Sequence, residues 1–427
     1  MNTPKIRFKG FKDDWEQRKL DTVAKFSKGS GYSKGDLIET GTPIILYGRL
    51  YTKYETSISD VDTYVEAKEG SVYSKGGEVI VPASGETAED IARAATVDKS
   101  GILLGGDLNV VMPNEDINSA FLAISISNGN SQRELAKKAQ GKSVVHIHNE
   151  EIRNLIVPFP IKAEQNRIVD YFSTLDHLIT LHQRKCDETK QLKKFMLQKM
   201  FPKNGEKNPE IRFEGFTDAW EQRKFEEIAV RSSVICSDDT LPRVEYEDIV
   251  SGTGRLNKDI YAKQSIKSGI AFHQGDVLYG KLRPYLQNWL LPTFDGLAVG
   301  DFWVLQPQNA DSSFLYRLIQ SRQFDEVANQ STGTKMPRAD WKLVSKTVFS
   351  IPSNISEQAA IGTYFTALDS LITLHQRKGK AAVTGCSNDA NNSKGVYCKA
   401  RDFGYKCYKK VKSQQIRCLI AVFIFFV

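Results

Sequence analysis

LITLHQRK, at Leu178–Lys185, is the stretch that decides the fold, and it returns unchanged at Leu371–Lys378. The residues before it are repeated too. In both copies Glu-Gln, Ile, Tyr-Phe and Leu-Asp follow at the same spacing, starting from Glu164 and from Glu357. Eight identical residues recurring 193 positions apart indicate an internal duplication rather than chance. The two halves of the chain are therefore expected to share one scaffold.

A second repeated block opens each half. Residues Ile6–Lys19 read IRFKGFKDDWEQRK, and residues Ile211–Lys224 read IRFEGFTDAWEQRK. We interpret this block as a short anchoring segment whose aromatic residues, including Trp15 and Trp220, pack on the domain that follows. The sequences between the markers differ in nearly every side chain. This difference indicates one scaffold that carries two different recognition surfaces.

The repeated stretches lie in two predicted long helices. No glycine or proline occurs from Glu164 to about Met200, and apolar residues step by 4, 3 and 4, which is the seam spacing of a coiled coil. Such a helix would be about 55 Å long, more than a compact domain needs, so we expect it to act as a strut. The predicted seam consists of Ile168, Phe172, Leu175 and Ile179 in the first copy and Ile361, Phe365, Leu368 and Ile372 in the second.

Each middle region is predicted to be a globular α+β domain with many short elements. Buried strands are expected at Gly77–Pro82 and Leu108–Met112, and a short helix at Ser119–Asn128. The second middle carries faint echoes of this plan, because Gly77-Glu78-Val79 corresponds to Gly275-Asp276-Val277 and each opens a strand. The two middles are thus expected to share an architecture.

Composition and charge limit the function classes. With 427 residues, 41% hydrophobic and 26% charged, the chain has room for two or three ordinary globular domains. We expect a cytoplasmic protein, since the start lacks the apolar run of a signal peptide and Cys418–Val427 is shorter than the roughly 20 residues that span a bilayer. The tail from Gly379 holds nine Lys/Arg and two Asp, so it accounts for the whole net charge of +7. Only local clusters of basic residues can therefore argue for DNA binding.

No catalytic centre and no metal site are predicted. Ala136–Ser143 (AKKAQGKS) matches a loose phosphate-loop pattern, but a helix-like segment precedes it and a strand-like one follows, the reverse of what such a loop requires. His146 and His148 would project from one face of a strand without a third ligand at a suitable spacing. Four of the six cysteines lie in the tail, at spacings that match no zinc pattern.

The two copies part after Lys378. The first continues CDETKQLKKFMLQKMF, which favours a helix, whereas the second continues GKAAVTGCSNDANNSK, which has no apolar period. We hypothesise a reading-frame shift near codon 379 that replaces the distal second helix with a disordered tail. The distal apolar residues of the first helix would then lack their partners: Leu192, Phe195, Met196 and Met200.

Local clusters that could meet DNA occur in the divergent middles. Arginine can pair bidentately with guanine, asparagine with adenine, and lysine or arginine with phosphate. The candidate DNA-binding residues of the first middle are Arg49, Tyr51, Lys53, Tyr54, Ser84, Thr87 and Lys142. Those of the second middle are Lys281, Arg283, Tyr285, Asn288, Lys335 and Arg338.

Two divergent α/β middles, each followed by a near-identical E-Q-x-x-I-x-x-Y-F-x-x-L-D-x-L-I-T-L-H-Q-R-K helix, resemble the specificity subunit of type I restriction-modification enzymes. The resemblance covers residues 1–378 and does not cover the tail. It implies the following domains: a first target-recognition domain at 1–160, a first conserved spacer helix at 161–203, a second target-recognition domain at 204–355, a second, truncated spacer helix at 356–378 and a divergent tail at 379–427.

The resemblance also implies a function. Each recognition domain would read one half of a bipartite site in double-stranded DNA. The two helices would pack as an antiparallel coiled-coil spacer related by a pseudo-twofold repeat, and would dock two methyltransferase subunits. Endonuclease/translocase subunits would join them. S-adenosylmethionine, ATP and Mg²⁺ would belong to these partners, so the chain itself would bind no cofactor and catalyse nothing. The alternatives are a coiled-coil protein-binding adaptor without DNA specificity, a stand-alone nuclease or a non-functional truncated specificity subunit.

Overall fold

A computed structural model describes residues 4, 7–141, 143–203, 205–262, 265–330 and 336–391. The chain divides into two compact units. The first unit comprises Met1–Ile179 together with the chain from Ala381 onward, and the second comprises Thr180–Lys380. The division falls inside a long helix. The domain boundaries at 160, 203 and 355 stay predictions.

The first unit contains short strands and helices around one long helix. Its strands are β1 (Glu16–Lys19), β2 (Ala24–Lys28), β3 (Leu37–Ile38), β4 (Thr42–Ile45), β5 (Ser57–Ile58), β6 (Tyr64–Val65), β7 (Tyr73–Lys75), β8 (Glu78–Pro82), β9 (Ser84–Gly85), β10 (Ala95–Val97), β11 (Ser100–Leu104), β12 (Leu108–Pro113), β13 (Val145–His146) and β14 (Ile156–Phe159). Its helices are α1 (Arg49–Thr52), α2 (Ala88–Ile91), α3 (Ser119–Ser127), α4 (Gly129–Lys138), α5 (Asn149–Arg153) and the start of α6 (Lys162–Lys199).

The second unit has a similar series of elements. Its strands are β15 (Glu221–Lys224), β16 (Ala229–Ser232), β17 (Ile235–Cys236), β18 (Arg243–Glu245), β19 (Ile249–Val250), β20 (Arg255–Leu256), β21 (Gly269–Phe272), β22 (Val277–Gly280), β23 (Trp289–Leu290), β24 (Gly296–Val299), β25 (Phe302–Pro307) and β26 (Val348–Ile351). Its helices are α7 (Phe225–Ile228), α8 (Ser312–Leu318), α9 (Arg322–Ala328), α10 (Trp341–Lys346) and α11 (Ile355–Asn391). Short 3-10 turns lie at Leu20–Thr22, Lys34–Asp36, Tyr246–Asp248 and Pro284–Leu286.

Both units place a central strand in the middle of a sheet, as the echoes between the two middles predicted. In the first unit the sheet order is β2-β12-β8-β10-β5, next to a five-stranded sheet β3-β6-β4-β11-β7. In the second the orders are β16-β25-β22-β23 and β17-β21-β24-β18. The glycines that precede the central strands, Gly77 and Gly275, have φ of 90° and 92°, a left-handed conformation that favours glycine. The mixed α and β fold predicted for both middles is thus confirmed.

The repeated opener anchors the start of each unit, as its aromatic residues suggested. β1 pairs antiparallel with β14, the strand that precedes the long helix, and β15 pairs with β26 in the same way. Trp15 makes an edge contact with Phe121 at 5.8 Å between ring centroids, and Trp220 makes one with Phe314 at 6.2 Å. The identical WEQRK letters therefore serve the same packing role twice.

The Glu-Gln marker ties each long helix to its unit through a buried ion pair. Arg7 Nε donates to Glu164 Oε1 at 2.6 Å, and Arg212 Nε donates to Glu357 Oε1 at 2.7 Å. Both glutamates are at most 1% exposed. The neighbouring glutamine accepts from the backbone N–H of the residue that caps an earlier helix, as in Asp311 N–H to Gln358 Oε1 at 2.9 Å. We call each of these arrangements a clamp.

The distal part of α6 runs antiparallel to α11 within the second unit. His182 Nδ1 lies 3.2 Å from His375 Nδ1, so the two copies of LITLHQRK meet at the same residue. Lys193 Nζ pairs with Asp369 at 2.7 Å, and the rings of Phe201 and Phe365 lie 6.5 Å apart. As the residue number increases along α6, the number of its contact residue in α11 decreases, which shows that the helices are antiparallel.

This pairing corrects an expectation about the distal first helix. Met200 is 1% exposed, and Leu192 and Met196 pack on the core of the second unit, so these residues do have partners. Phe195 alone of the four predicted residues is exposed. In an antiparallel pair the distal first helix meets the proximal second helix, which is intact in this sequence. Loss of the distal second helix would uncover the proximal first helix instead.

The end of the second long helix also differs from the prediction. α11 continues to Asn391, so the expected end at Lys378 is too early. Ala381 and Ala382 follow the repeat, and alanine has the highest intrinsic helix propensity. Local propensity extends the helix although the apolar period has stopped. The remainder of the predicted disordered tail, from residue 392, lies outside the described residues. Within the described part of the chain, no helix is long and apolar enough to cross a membrane.

Candidate nucleic-acid interface

In each unit the loop after the central strand pairs with a distant segment to form one edge. Ser84, two residues beyond β8, pairs antiparallel with His146. Leu282, two residues beyond β22, makes an antiparallel bridge with Arg338. We call residues 83–87 with 140–141 and 143–146 the first edge, and residues 281–288 with 336–338 the second edge. The two edges have the same backbone plan and different side chains.

A tyrosine hydroxyl holds the loop at each edge. Tyr51 Oη donates to the Ser84 carbonyl oxygen at 2.8 Å, and Tyr246 Oη donates to the carbonyl oxygen of Leu282. Burial raises the pKa of both phenols above the ordinary value, so both remain protonated donors at neutral pH. The two anchors fix the same position of the backbone in each unit. Tyr51, a predicted DNA contact, therefore acts by holding the loop.

The predicted residues Ser84 and Thr87 do lie at the first edge. Ser84 Oγ lies 3.1 Å from His146 Nδ1, which brings a hydroxyl and an imidazole together at the surface. Thr87 caps α2, since its Oγ1 accepts from the Asp90 N–H at 3.1 Å. Lys142 falls outside the described residues and stays a prediction.

The predicted cluster Arg49–Tyr54 is divided by the fold. Arg49 is 9% exposed, and its guanidinium donates to Asp62 at 2.8 Å and to Glu55 at 2.7 Å. We therefore correct its assignment from a DNA contact to a structural ion pair, because a buried arginine with two carboxylate partners is committed to the fold. Lys53, which is exposed and pairs with Asp62, and Tyr54, which is also exposed, remain predictions.

The second edge collects most of the predicted basic residues. Lys281 Nζ lies 3.6 Å from Asp301, and Arg338 Nη2 lies 3.2 Å from the same carboxylate. One aspartate thus holds two cations from segments more than fifty residues apart. About half of the Arg338 side chain is exposed, so its guanidinium can still reach a ligand. The structure therefore brings these two predicted residues together.

A strained arch projects from the second edge. Arg283 and Gln287 have φ of 47° and 56°, in the left-handed region that side chains other than glycine rarely adopt. The Arg283 N–H donates to the Pro337 carbonyl oxygen at 2.7 Å, which ties the arch to the facing segment. Tyr285 stands at the top of the arch, 57% exposed. Backbone strain concentrates at functional sites, so the arch is the best candidate for a recognition element.

Two further predicted residues of the second middle need comment. Asn288 is 4% exposed, and its Oδ1 accepts from Ser251 Oγ at 2.9 Å. We therefore correct Asn288 from a base contact to a residue that supports the base of the arch, because its side chain lies below the surface. Lys335 lies outside the described residues.

Sequence reasoning missed a depression next to the second edge. Its volume is about 380 Å³, and it brings together residues from four segments of the chain. The lining side chains are Arg231, Lys281, Trp303, Arg338, Asp340, Trp341 and Lys342. No spacing in the sequence could reveal it, because the segments lie far apart. The only local feature of the sequence that pointed to this depression is Trp341 among the charged residues around it.

His146 of the first edge and the neighbouring His148 stack on each other. The rings of His146 and His148 are 6.5 Å apart and nearly parallel. Among the described residues, no three His, Cys, Asp or Glu side chains are grouped so that they could hold a metal ion.

Comparisons with known proteins agree with the repeated motifs. Residues 12–191 match the family described as "Type I restriction modification DNA specificity domain". Two curated relatives are similar to the chain. The EcoDI specificity subunit of Escherichia coli is 22% identical over 50% of this chain and 55% of its own length, so the chain spans about half of that relative. The MjaVIII specificity subunit of Methanocaldococcus jannaschii is 20% identical over 86% of this chain and 88% of its own length.

A solved structure shares the fold. The S subunit of the type I restriction-modification system from M. genitalium superposes with a TM-score of 0.59 at 14% identity, covering 92% of this chain and 99% of that one. The superposition shows that the fold is shared, and the family match over residues 12–191 confirms the resemblance drawn from the repeated motifs.

Proposed function

We propose that this chain, which belongs with the specificity subunits of type I restriction-modification systems, reads a bipartite site in double-stranded DNA. One observation carries the proposal. Two edges are built on the same backbone plan, each with a tyrosine anchor below the loop, yet they present different side chains. A scaffold conserved within one chain that carries unlike surfaces suits the reading of two unlike half-sites.

Each unit would read one half-site through its edge. The first edge offers Ser84, Thr87 and His146, which can exchange hydrogen bonds with base edges. The second offers Arg283, Tyr285 and Arg338, which favour contacts to guanine, to stacked bases and to phosphate. Because these donor sets differ, the site would be asymmetric.

The two long helices would act as an antiparallel coiled-coil spacer that sets the gap between half-sites. Support comes from the antiparallel contacts His182–His375 and Lys193–Asp369, which join the two helices within the second unit. A rigid distance between two reading elements determines half-site spacing in other duplex readers. The gap length would then depend on helix length rather than on the edges.

The chain would supply recognition while its partners supply chemistry. Two methyltransferase subunits would dock on the helices and methylate adenine with S-adenosylmethionine. Endonuclease/translocase subunits would use ATP and Mg²⁺. This chain would bind none of these cofactors, catalyse nothing itself and work in the cytoplasm with its partners.

A second candidate is a specificity subunit that no longer assembles fully. One observation favours it: Phe172, in the seam of the first helix copy, is 37% exposed. A seam that is less covered would weaken the spacer and the docking of partners. A coiled-coil adaptor without DNA specificity would bind partners but fail to shift mixed duplex DNA in a gel, and a stand-alone nuclease would cleave DNA with a metal ion alone.

The test is a map of N6-methyladenine after co-expression with a cognate methyltransferase in a host without adenine methylation. We expect methylation at a split motif, two short half-sites around a fixed gap. If no methylation occurs, the distal second helix is restored in frame and the map repeated. Methylation after restoration would identify an assembly defect, and continued absence would refute the proposed function.

A further inference from the structure

We infer that the second unit holds one phosphodiester group of the DNA backbone in the tryptophan-lined depression beside its edge, and that the first unit has no equivalent site. The inference rests on the proposed function and adds a binding site to it. It also makes the two units unequal, since one would contribute sequence-independent affinity that the other lacks.

The depression combines an aromatic wall with a cationic rim. Trp303 is 2% exposed and stacks on Tyr279 with ring centroids 5.5 Å apart. Trp341 meets Trp303 edge-on at 5.2 Å and forms the more exposed wall. The Arg231 guanidinium lies over the Trp341 ring, 5.2 Å from its centroid, which holds the cation at the rim.

The charges around the depression favour an anion. Four cations line it: Arg231, Lys281, Arg338 and Lys342. Two carboxylates oppose them. Asp301 pairs with Lys281 and Arg338, and Asp340 Oδ1 accepts from the Lys342 N–H at 2.8 Å as the cap of α10. The rim therefore keeps an excess of positive charge, to which Arg231 and Lys342 contribute most directly.

Strand registers identify the corresponding positions in the first unit. In that unit Val79 pairs with Val111, which pairs with Phe26. In the second unit Val277 pairs with Leu305, which pairs with Arg231. The same registers place Asn109 where the second unit has Trp303.

The first unit lacks both the cations and the tryptophans at these positions. Counting from the paired residues Ser84–His146 and Leu282–Arg338 extends the correspondence along the loops. The positions equivalent to Arg231, Lys281, Trp303, Arg338, Trp341 and Lys342 are occupied by Phe26, Ala83, Asn109, His146, Asn149 and Glu150. Where the second unit has Lys342, the first unit has a glutamate, and where the second unit has its two tryptophans, the first unit has asparagines. These six positions of the first unit therefore carry no lysine, arginine or tryptophan.

A phosphodiester fits this chemistry. Its oxygens accept charge-assisted hydrogen bonds from arginine and lysine, and the attached sugar can pack on an indole face. Free phosphate or a nucleotide shares the same chemistry. Continuity with the second edge, through Lys281 and Arg338, favours the backbone of DNA that lies on that edge.

The test measures the salt dependence of binding. Full-length chain is titrated into labelled duplexes of unrelated sequence over a range of salt concentrations. Each phosphate contact contributes about 1 to the slope of log affinity against log salt. We expect the double variant Arg231→Gln/Lys342→Gln to lower the slope by about 1, equally for all sequences. The matched control is Lys25→Gln/Lys28→Gln, on the first-unit strand that corresponds to β16, and its slope should not change.

The outcomes separate the two proposals. If the parent binds duplex DNA and the Arg231/Lys342 variant keeps its slope, the inferred site is wrong while the proposed function stands. An equal loss in the Lys25/Lys28 control would overturn the inequality of the units. No affinity of the parent for any duplex would overturn both proposals. Inorganic phosphate is the second probe. If it changes tryptophan emission and saturates at submillimolar concentration in the parent only, the site takes free phosphate and the backbone assignment is wrong.

Discussion

The two copies of the helix marker have the same letters and different environments. In the second copy the seam residues Ile361, Phe365, Leu368 and Ile372 are all at most 8% exposed. In the first copy Phe172 is 37% exposed, and Leu175 and Ile179 are only half-buried. A repeat that is identical in sequence is therefore unequal in packing.

The antiparallel pairing explains the difference. Phe365 packs near Phe201 of the distal first helix, whereas Phe172 would need the corresponding residue of the distal second helix. The sequence has Lys394 at that position instead of phenylalanine. The seam of the second copy, whose partner residues precede Lys378, is buried. The seam of the first copy, whose partner residues would follow Lys378, is partly exposed. The comparison teaches that a change at one end of an antiparallel pair acts at the opposite end of its partner.

The largest expected effect tests this comparison directly. Phe365→Ala should lower the free energy of unfolding by about 3–5 kcal/mol, because it removes a fully buried ring. The matched variant Phe172→Ala should cost less than about 1 kcal/mol, as expected for a partly exposed side chain. Urea denaturation followed by far-UV circular dichroism measures both. Equal losses would show that the two seams are packed alike.

The clamps should be the next most sensitive point, and they test what the halves share. Arg212→Met and Arg7→Met each leave a buried glutamate without its arginine, at a cost of about 3 kcal/mol. Glu357 keeps a donor in Trp220 Nε1 at 3.1 Å, whereas Trp15 Nε1 is buried and finds no partner among the described residues. The Arg7 variant should therefore be the less stable of the two in the same denaturation experiment. A milder effect at Arg7 would contradict the role of the tryptophan.

The aspartates of the repeated Leu-Asp pair provide a smaller contrast. Asp369 accepts from Lys193 at 2.7 Å and from Arg317 at 2.8 Å, and the Arg317 side chain is almost fully buried. Asp369→Asn should cost about 2 kcal/mol, since it weakens two charge-assisted hydrogen bonds. Asp176→Asn, at the exposed equivalent position, should change stability by less than about 0.5 kcal/mol. Thermal melting of the two variants against the parent checks the ranking.

The smallest expected effect is a pH dependence where the two copies meet. Burial lowers the pKa of His182 and of His375, and the nearby cations Lys185 and Lys378 lower both further. A histidine with a lowered pKa binds fewer protons in the folded state, so its contribution to stability is present at neutral pH and is lost as pH falls below about 6.5. The urea midpoint of the second unit should drop between pH 7.5 and 5.5. The drop should shrink in His375→Gln, and an unchanged drop would assign it to other groups.

Much of the scaffold follows from the sequence, since repetition and periodicity are local. The Glu-Gln marker, the seam of α11 and the strand at Gly77–Pro82 can all be predicted from neighbouring letters. It is harder to predict from the sequence which residues of the first helix are affected by the divergent tail. In an antiparallel pair, a change after Lys378 affects the proximal half of the first helix. The prediction that the distal residues Leu192 and Met196 lose their partners was therefore wrong.

The candidate interface was only partly predictable, because burial and long-range pairing are not local. Arg49 and Asn288 look like DNA contacts in sequence and prove to be buried. Tyr246 anchors the second edge although it lies 36 residues before Leu282 and carries no motif. The depression lined by Trp341 joins segments that only the folded sheet brings together. A loop residue is recognised as functional only when its exposure and its neighbours are known.

The central claim is that each edge reads its own half-site on a shared scaffold. The most direct measurement is an N6-methyladenine map for the variant Arg283→Ala/Tyr285→Ala, compared with the parent in the same methylation-free host and with the same methyltransferase. We expect one half-site to become relaxed or altered, while the other half-site and the gap between them stay unchanged. A change in both half-sites or in the gap, or an unchanged map, would contradict the account.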